Sequence, residues 1–172
     1  DSPDIQGVFS MWYGKGPVLD RAMDALRHAN QGGVAPYGGM VIAVGDDPTG
    51  KSSTLAYQSD QNFHSLGIPY FFPKNVSDII PMGLEAFALS RYSGCCVGLK
   101  IVVDTADSNA VVDMSKLRPS LPILKPNSLV HVTKHDPASV RESKLHDVRL
   151  PAVQTWCENS ENVAQVYLPA KK

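Results

Sequence analysis

The stretch from Gly45 to Ser52 concentrates residue types that could do chemistry. Gly45, Gly50, Lys51 and Ser52 stand at the spacing G-x-x-x-x-G-K-S, and the apolar run Met40-Val41-Ile42-Ala43-Val44 precedes them. Between a strand and a helix, that spacing wraps backbone N–H groups around phosphates and sends the lysine to the terminal ones. Asp46, Asp47 and Pro48 work against such a role. Two carboxylates repel phosphate, and the proline removes one N–H donor. The expectation is that this loop does not bind ATP.

Other candidate chemistry is sparser. Gly14-Lys15-Gly16-Pro17 could bring Lys15 and bare backbone to a ligand at a helix N-terminus, or it is an ordinary strand–helix turn with a solvated lysine. Arg91-Tyr92-Ser93-Gly94 reads as a helix end, with Arg91 suited to the helix dipole and Gly94 to the cap. His131 and His135, among His28, His64 and His146, are spaced for a helical metal pair, but they lie in Pro-bounded, strand-like sequence. Cys95, Cys96 and Cys157 match neither zinc nor iron–sulfur spacing, so buried reduced thiols are expected. No catalytic residue and no metal ligand is assigned.

The elements that must position these residues follow from periodicity. Val8 to Tyr13 reads as a strand and Val18, Leu19, Ala22, Ala25, Leu26 and Ala29 as one face of a helix ending at Gly32-Gly33. Met40–Val44 reads as a central strand buried on both faces, as parallel sheets require. Ser52 to Leu66 is read as helical, with Leu55, Phe63 and Leu66 on one face. Tyr70-Phe71-Phe72 is a short strand. Val76, Ile79, Ile80, Leu84, Phe87 and Ala88 form an amphipathic face, with Pro81 either in the first turn or at the true helix start. Val97 to Val103 is a fourth strand and Ala110 to Met114 a short fifth. Leu117 to Pro137 reads as a Pro-rich connector. Asp136-Pro137 then starts a helix running to about Arg149, which Pro151 breaks or kinks before Ala152 to Glu158. Val163 to Leu168 reads as a last strand and Pro169 to Lys172 as a disordered tail. The fold class is α/β, three-layer, with a mostly parallel sheet flanked by helices. A core domain spans 1–116; the connector, helix and terminal strand occupy 117–172.

Composition narrows the function classes. The chain has 172 residues, 43% of them hydrophobic, enough for one packed core. A net charge of −1 makes no electrostatic case for nucleic acid or an anionic membrane. No apolar run approaches the ~20 residues of a membrane span. Asp1 to Phe9 shows no basic region followed by an apolar one, so no signal peptide is read there, and a cytoplasmic location is expected.

Several of these motifs, in this order, resemble one family. Phe9-Ser10-Met11-Trp12-Tyr13-Gly14-Lys15-Gly16-Pro17, Asp20-Arg21 and Asp24 through Asn30 resemble the N-terminal region of long, fused indolepyruvate ferredoxin oxidoreductases. So do Gly45-Asp46-Asp47, Lys51 through Leu55, Gln58-Ser59, Ser90 through Cys95, Val97 through Lys100 and Arg149-Leu150-Pro151-Ala152. The chain departs from the family pattern at Val18 (Gly there), Pro48 (usually His) and Gly50 (commonly Ala). The departure at Gly50 suggests that the phosphate-loop match arose on a background that did not use it.

The resemblance implies a fold and a role. Such enzymes decarboxylate a 2-oxoacid on thiamine diphosphate, form an acyl-CoA and pass electrons through iron–sulfur clusters to ferredoxin. One α/β domain binds the diphosphate through Mg²⁺; another holds the pyrimidine ring and supplies a glutamate. This chain resembles the pyrimidine-binding domain without its first βα segment, where that glutamate lies. It lacks the Gly-Asp-Gly…Asn-Asn diphosphate motif and cluster cysteines. The resemblance places Tyr13, Lys15, Gly16, Asp46, Asp47, Lys51, Ser52 and Ser53 along the cofactor cleft or a domain interface. Expected partners are the remaining domains of the parent enzyme, ferredoxin through them, and a second copy. The isolated chain is expected to be inactive. A non-catalytic interaction domain of the same fold and a phosphate-loop nucleotide binder stand as alternatives.

Overall fold

The computed structural model describes residues 7–125, 127–131 and 135–161. The readings of a strand at Val163–Leu168 and of a disordered tail lie outside them. Four strands, β1 (Phe9–Tyr13), β2 (Met40–Asp46), β3 (Tyr70–Phe71) and β4 (Val97–Val102), pair in the order β1-β2-β4-β3, all parallel. The register Ile42↔Gly98 and Val44↔Lys100 sets the two central strands side by side. Parallel neighbours need crossovers, and three helices supply them: α1 (Gly16–Gly32), α2 (Asp60–Leu66) and α3 (Val76–Ser93).

Side chains alternate across β2, so each sheet face has its own core. Ile42 and Val44 pack with Leu19 and Leu26 of α1 and Phe63 and Leu66 of α2. Val41 packs on the other face with Ala86 and Leu89 of α3, Val97 and Leu99 of β4, and Trp156. The three-layer reading follows from this double coverage, and burial of each such side chain contributes about 1.5–3 kcal/mol.

Several expectations are corrected. Helix over Ser52–Leu66 shrinks to α2, and Leu55 is 78% exposed. The preceding residues instead fold back to the residue after β2 through the Asp47↔Tyr57 bridge, because Asp47 competes for the backbone donors a helix would use. Ala110–Asp113 is not a strand; a 3₁₀ turn follows at Met114–Lys116. Val111 is fully exposed, and no strand among the described residues pairs with the segment. In α3, Asn75 caps the helix through the N–H groups of Ser77 and Asp78, so Pro81 lies beyond the first turn, inside the helix. Its buried face is Glu85, Ala86, Leu89, Ser90 and Ser93, while Ile80 and Leu84 are about half exposed. Val18 of α1 likewise faces out.

After β4 come the short α4 (Val103–Ala106), the connector, and a helical stretch of α5 (Ala138–Lys144), a π-helical segment (Leu145–Arg149) and α6 (Leu150–Asn159). Asp136 does not cap α5; Pro137 holds the cap position, and Asp136 instead receives Lys144 Nζ at 2.8 Å. Pro151 causes no break. It lacks the N–H that would reach back one turn, and the backbone absorbs the fault by widening: Leu150 N donates to Leu145 O. The connector packs on the core through Arg149, which is fully buried. Its Nε donates to Val130 O (2.8 Å) and its Nη1 to Asn30 O (2.7 Å) at the C-terminal end of α1. Gly94 caps α3 at φ 77°, and an added Cβ there would sit 2.5 Å from Val130 O.

Candidate functional site

The loop leaving β2 is closed by its own side chains. Asp47 accepts from the backbone N–H groups of Lys51 and Ser52, each at 2.8 Å. Those are the donors that would turn toward phosphate in a phosphate-binding loop. The Ser52 N–H, followed by that of Lys51, holds the Asp47 carboxyl below the usual range. Lys15, just after β1, donates from Nζ to Ser52 O (2.6 Å) and Ser53 Oγ (3.3 Å), tying the two loops together. Lys51 points away to Asp104 (3.4 Å) within α4 and Asp107 (3.7 Å) just after it.

Lys15, Asp46, Asp47, Ser52 and Ser53 line one recess of ≈ 190 Å³ at the C-terminal end of the strands, as proximity of these loops requires. Trp12, Ile101, Val103 and Ala106 form its apolar side. Three expected site residues fall elsewhere. Tyr13 packs into the core beside α1, and its hydroxyl meets Met11 Sδ at 3.7 Å. Gly16 is buried under the ring of Tyr57: a Cβ at Gly16 would lie 1.7 Å from that ring. The bare backbone there admits Tyr57, not a ligand. Tyr57 is anchored by Asp20 Oδ1 (2.8 Å), and burial, then Asp20, pushes its hydroxyl pKa up. Lys51 is outside the recess.

Beneath the loop lies a charged network that sequence reasoning missed. Lys100, 5% exposed, places Nζ 2.5 Å from Asp60 Oδ2 and 3.6 Å from Asp46 Oδ2, with the ring of Phe72 4.7 Å away. Asp46 also accepts from Ser59 N and Oγ (2.8 and 2.9 Å), while its buried Oδ1 has no partner among the described residues. Tyr70 donates to Asp60 Oδ1 at 2.6 Å. Burial pushes the Tyr70 hydroxyl up to about 12, with Asp60 adding to it. Burial also opposes ionisation of Asp60, yet the hydrogen bonds from Lys100 and Tyr70 hold its carboxyl below the usual range. The one sequence signal was Lys100 at an interior position of an apolar strand: a buried lysine needs a carboxylate nearby.

The recess does not fit a diphosphate. Its N–H donors are taken, its lysine is engaged, and carboxylates line the space. Its volume is below the ≈ 300 Å³ at which ordinary ligand pockets begin. Its apolar wall suits a ring edge at most. No cluster of three or more His, Cys, Asp or Glu suited to a metal occurs among the described residues. No helix among them is long and apolar enough to cross a membrane. No protein-family model, curated protein or solved structure matches the chain.

Proposed function

We propose that this chain serves as the pyrimidine-side α/β domain of a cytoplasmic, thiamine-diphosphate-dependent 2-oxoacid:ferredoxin oxidoreductase. There it forms one wall of the cofactor cleft and a domain interface, and it has no turnover alone. The observation that carries the reading is Trp12. It is 59% exposed, lines the recess, and stands on edge strand β1 near Phe9, also 59% exposed. A parallel sheet is ordinarily covered on both faces and its apolar edges are protected. An apolar edge running into a recess at the strand ends therefore suits docking of another domain. The diphosphate, Mg²⁺, the iron–sulfur clusters and the contact with ferredoxin then belong to the rest of the assembly, which includes a second copy of the chain.

A second reading, an interaction domain of the same fold without a cofactor role, is favoured by the self-closed Gly45–Ser53 loop. Calorimetry with thiamine diphosphate and Mg²⁺, beside 2-oxoacid-dependent dye reduction, tests the first reading. The expected result is no turnover and at most weak binding by the chain alone, with turnover restored when the other domains are added. Turnover by the isolated chain overturns it; a fully active assembly lacking this chain supports the second reading. ATP is expected not to bind, because the loop's donors are already engaged.

A further inference from the structure

A wide cleft lies at the other end of the sheet, where the strands begin. It encloses ≈ 650 Å³, within the range of small-molecule sites. Its walls come from α3, α6, the loop before β2 and the connector. Trp156 supplies a rigid floor: it is 4% exposed, its Nε1 is held by Glu85 Oε1 at 3.0 Å, and it packs against Tyr92 at 5.3 Å. Tyr37 and Leu121, both substantially exposed, add apolar surface at the mouth.

Two polar groups in the cleft have capacity left over. Arg91 is exposed, and its Nε donates to Gly38 O at 2.9 Å, which fixes the stem. Its Nη atoms meet no carboxylate among the described residues, so the forked end is available for one. His131 Nδ1 lies 2.9 Å from Val34 O. A carbonyl only accepts, so Nδ1 carries a proton, and Nε2 meets no partner among the described residues.

We propose that this cleft binds a small carboxylate with a flat apolar body, its carboxylate on Arg91 and its ring over Trp156 and Tyr92. A preorganised aromatic floor favours a ring, and an unpaired guanidinium at the edge favours an anion. The site is separate from the recess after β2, and does not depend on the oxidoreductase reading.

The probes are 1-naphthoate and its neutral match 1-naphthamide, followed by tryptophan fluorescence and amide chemical shifts on the whole chain. The expected result is saturable naphthoate binding at or below about 1 mM, with shifts at Arg91, Tyr92 and Trp156. Arg91→Gln should weaken naphthoate at least about tenfold and leave naphthamide unchanged, and Arg91→Lys should fall between. An unfolding curve shows that each variant is folded. Equal affinity for both probes, indifference to Arg91→Gln in a folded variant, or shifts confined to β1 overturns the proposal. So does a dimer whose formation blocks the cleft, since the occupant would then be a second copy.

Discussion

The two ends of the sheet are held by different charged groups. Where the strands end, carboxylates and a lysine share the work: Asp47 takes two backbone N–H groups, Asp46 takes Ser59 N, and Lys15 donates to Ser52 O. Where they begin, guanidiniums do it: Arg91 donates to Gly38 O, and Arg149 to Asn30 O and Val130 O. The difference follows from which backbone groups are left over. A loop entering a turn or helix exposes N–H donors, and a helix C-terminus exposes carbonyls. Reach then sets how much each contact matters. Asp47, 6% exposed, closes its own loop onto residues four and five places along, whereas Arg149 joins the connector to α1 across the chain.

That contrast can be broken from either end. Lys100→Met should have the largest effect, about 3–5 kcal/mol of lost stability by urea unfolding. It strands Asp46, whose side chain is fully buried. Arg149→Met should cost about 3 kcal/mol, since buried carbonyls of Asn30 and Val130 lose their donor. A loss under about 1 kcal/mol at either site would mean that its buried polar contacts do not hold that end of the sheet. Gly94→Ala tests the same junction through the backbone and should cost about 1–3 kcal/mol, because φ 77° and Val130 O both reject a Cβ.

The network around Lys100 should also respond to pH at both extremes. Asp60 has a lowered carboxyl pKa, so its contribution is complete above the unfolded value of about 3.9 and fades as pH falls through the folded one. Tyr70 is raised to about 12, so its contribution is complete below about 10 and fades as pH rises toward 12. Thermal melts of Tyr70→Phe against the parent should converge near pH 12 and separate below pH 10. Cys95 and Cys96, pushed up to about 11 and 12 by burial, should add a parallel alkaline loss in both proteins. The smallest effect is local. Asp47→Asn should speed hydrogen exchange at the amides of Lys51 and Ser52 while leaving Asn30 and Cys96 protected. Unchanged exchange in the loop would show that the carboxylate is not what closes it.

Much of the fold was legible in residue pattern. The run Met40–Val44 became the buried strand β2 because no alternating or helical period competes there. Gly94 became a left-handed cap because it follows the end of an apolar helix. The reading of Ser52–Ser59 as helix failed because helix propensity is a sum over a window, and one carboxylate at Asp47 outweighs it through specific bonds. The apolar face of α3 was misplaced for a related reason. Glu85, Ser90 and Ser93 look solvent-facing by type, yet Trp156 Nε1, Cys95 O and Cys95 N give them buried partners, and Ile80 and Leu84 are displaced outward.

The sequence by itself determined the α/β class, the order of the main elements and the meeting of the loops after β1 and β2 at one end of the sheet. Local periodicity and turn residues encode those features, and parallel crossovers bring successive strand ends together. Only the tertiary structure decided what those loops do with their donors. It also paired Lys100 with Asp46 and Asp60, and set Arg149 against the end of α1, 118 or 119 residues away along the chain. Such partners meet through packing of distant segments, and no local pattern records which polar group will satisfy which.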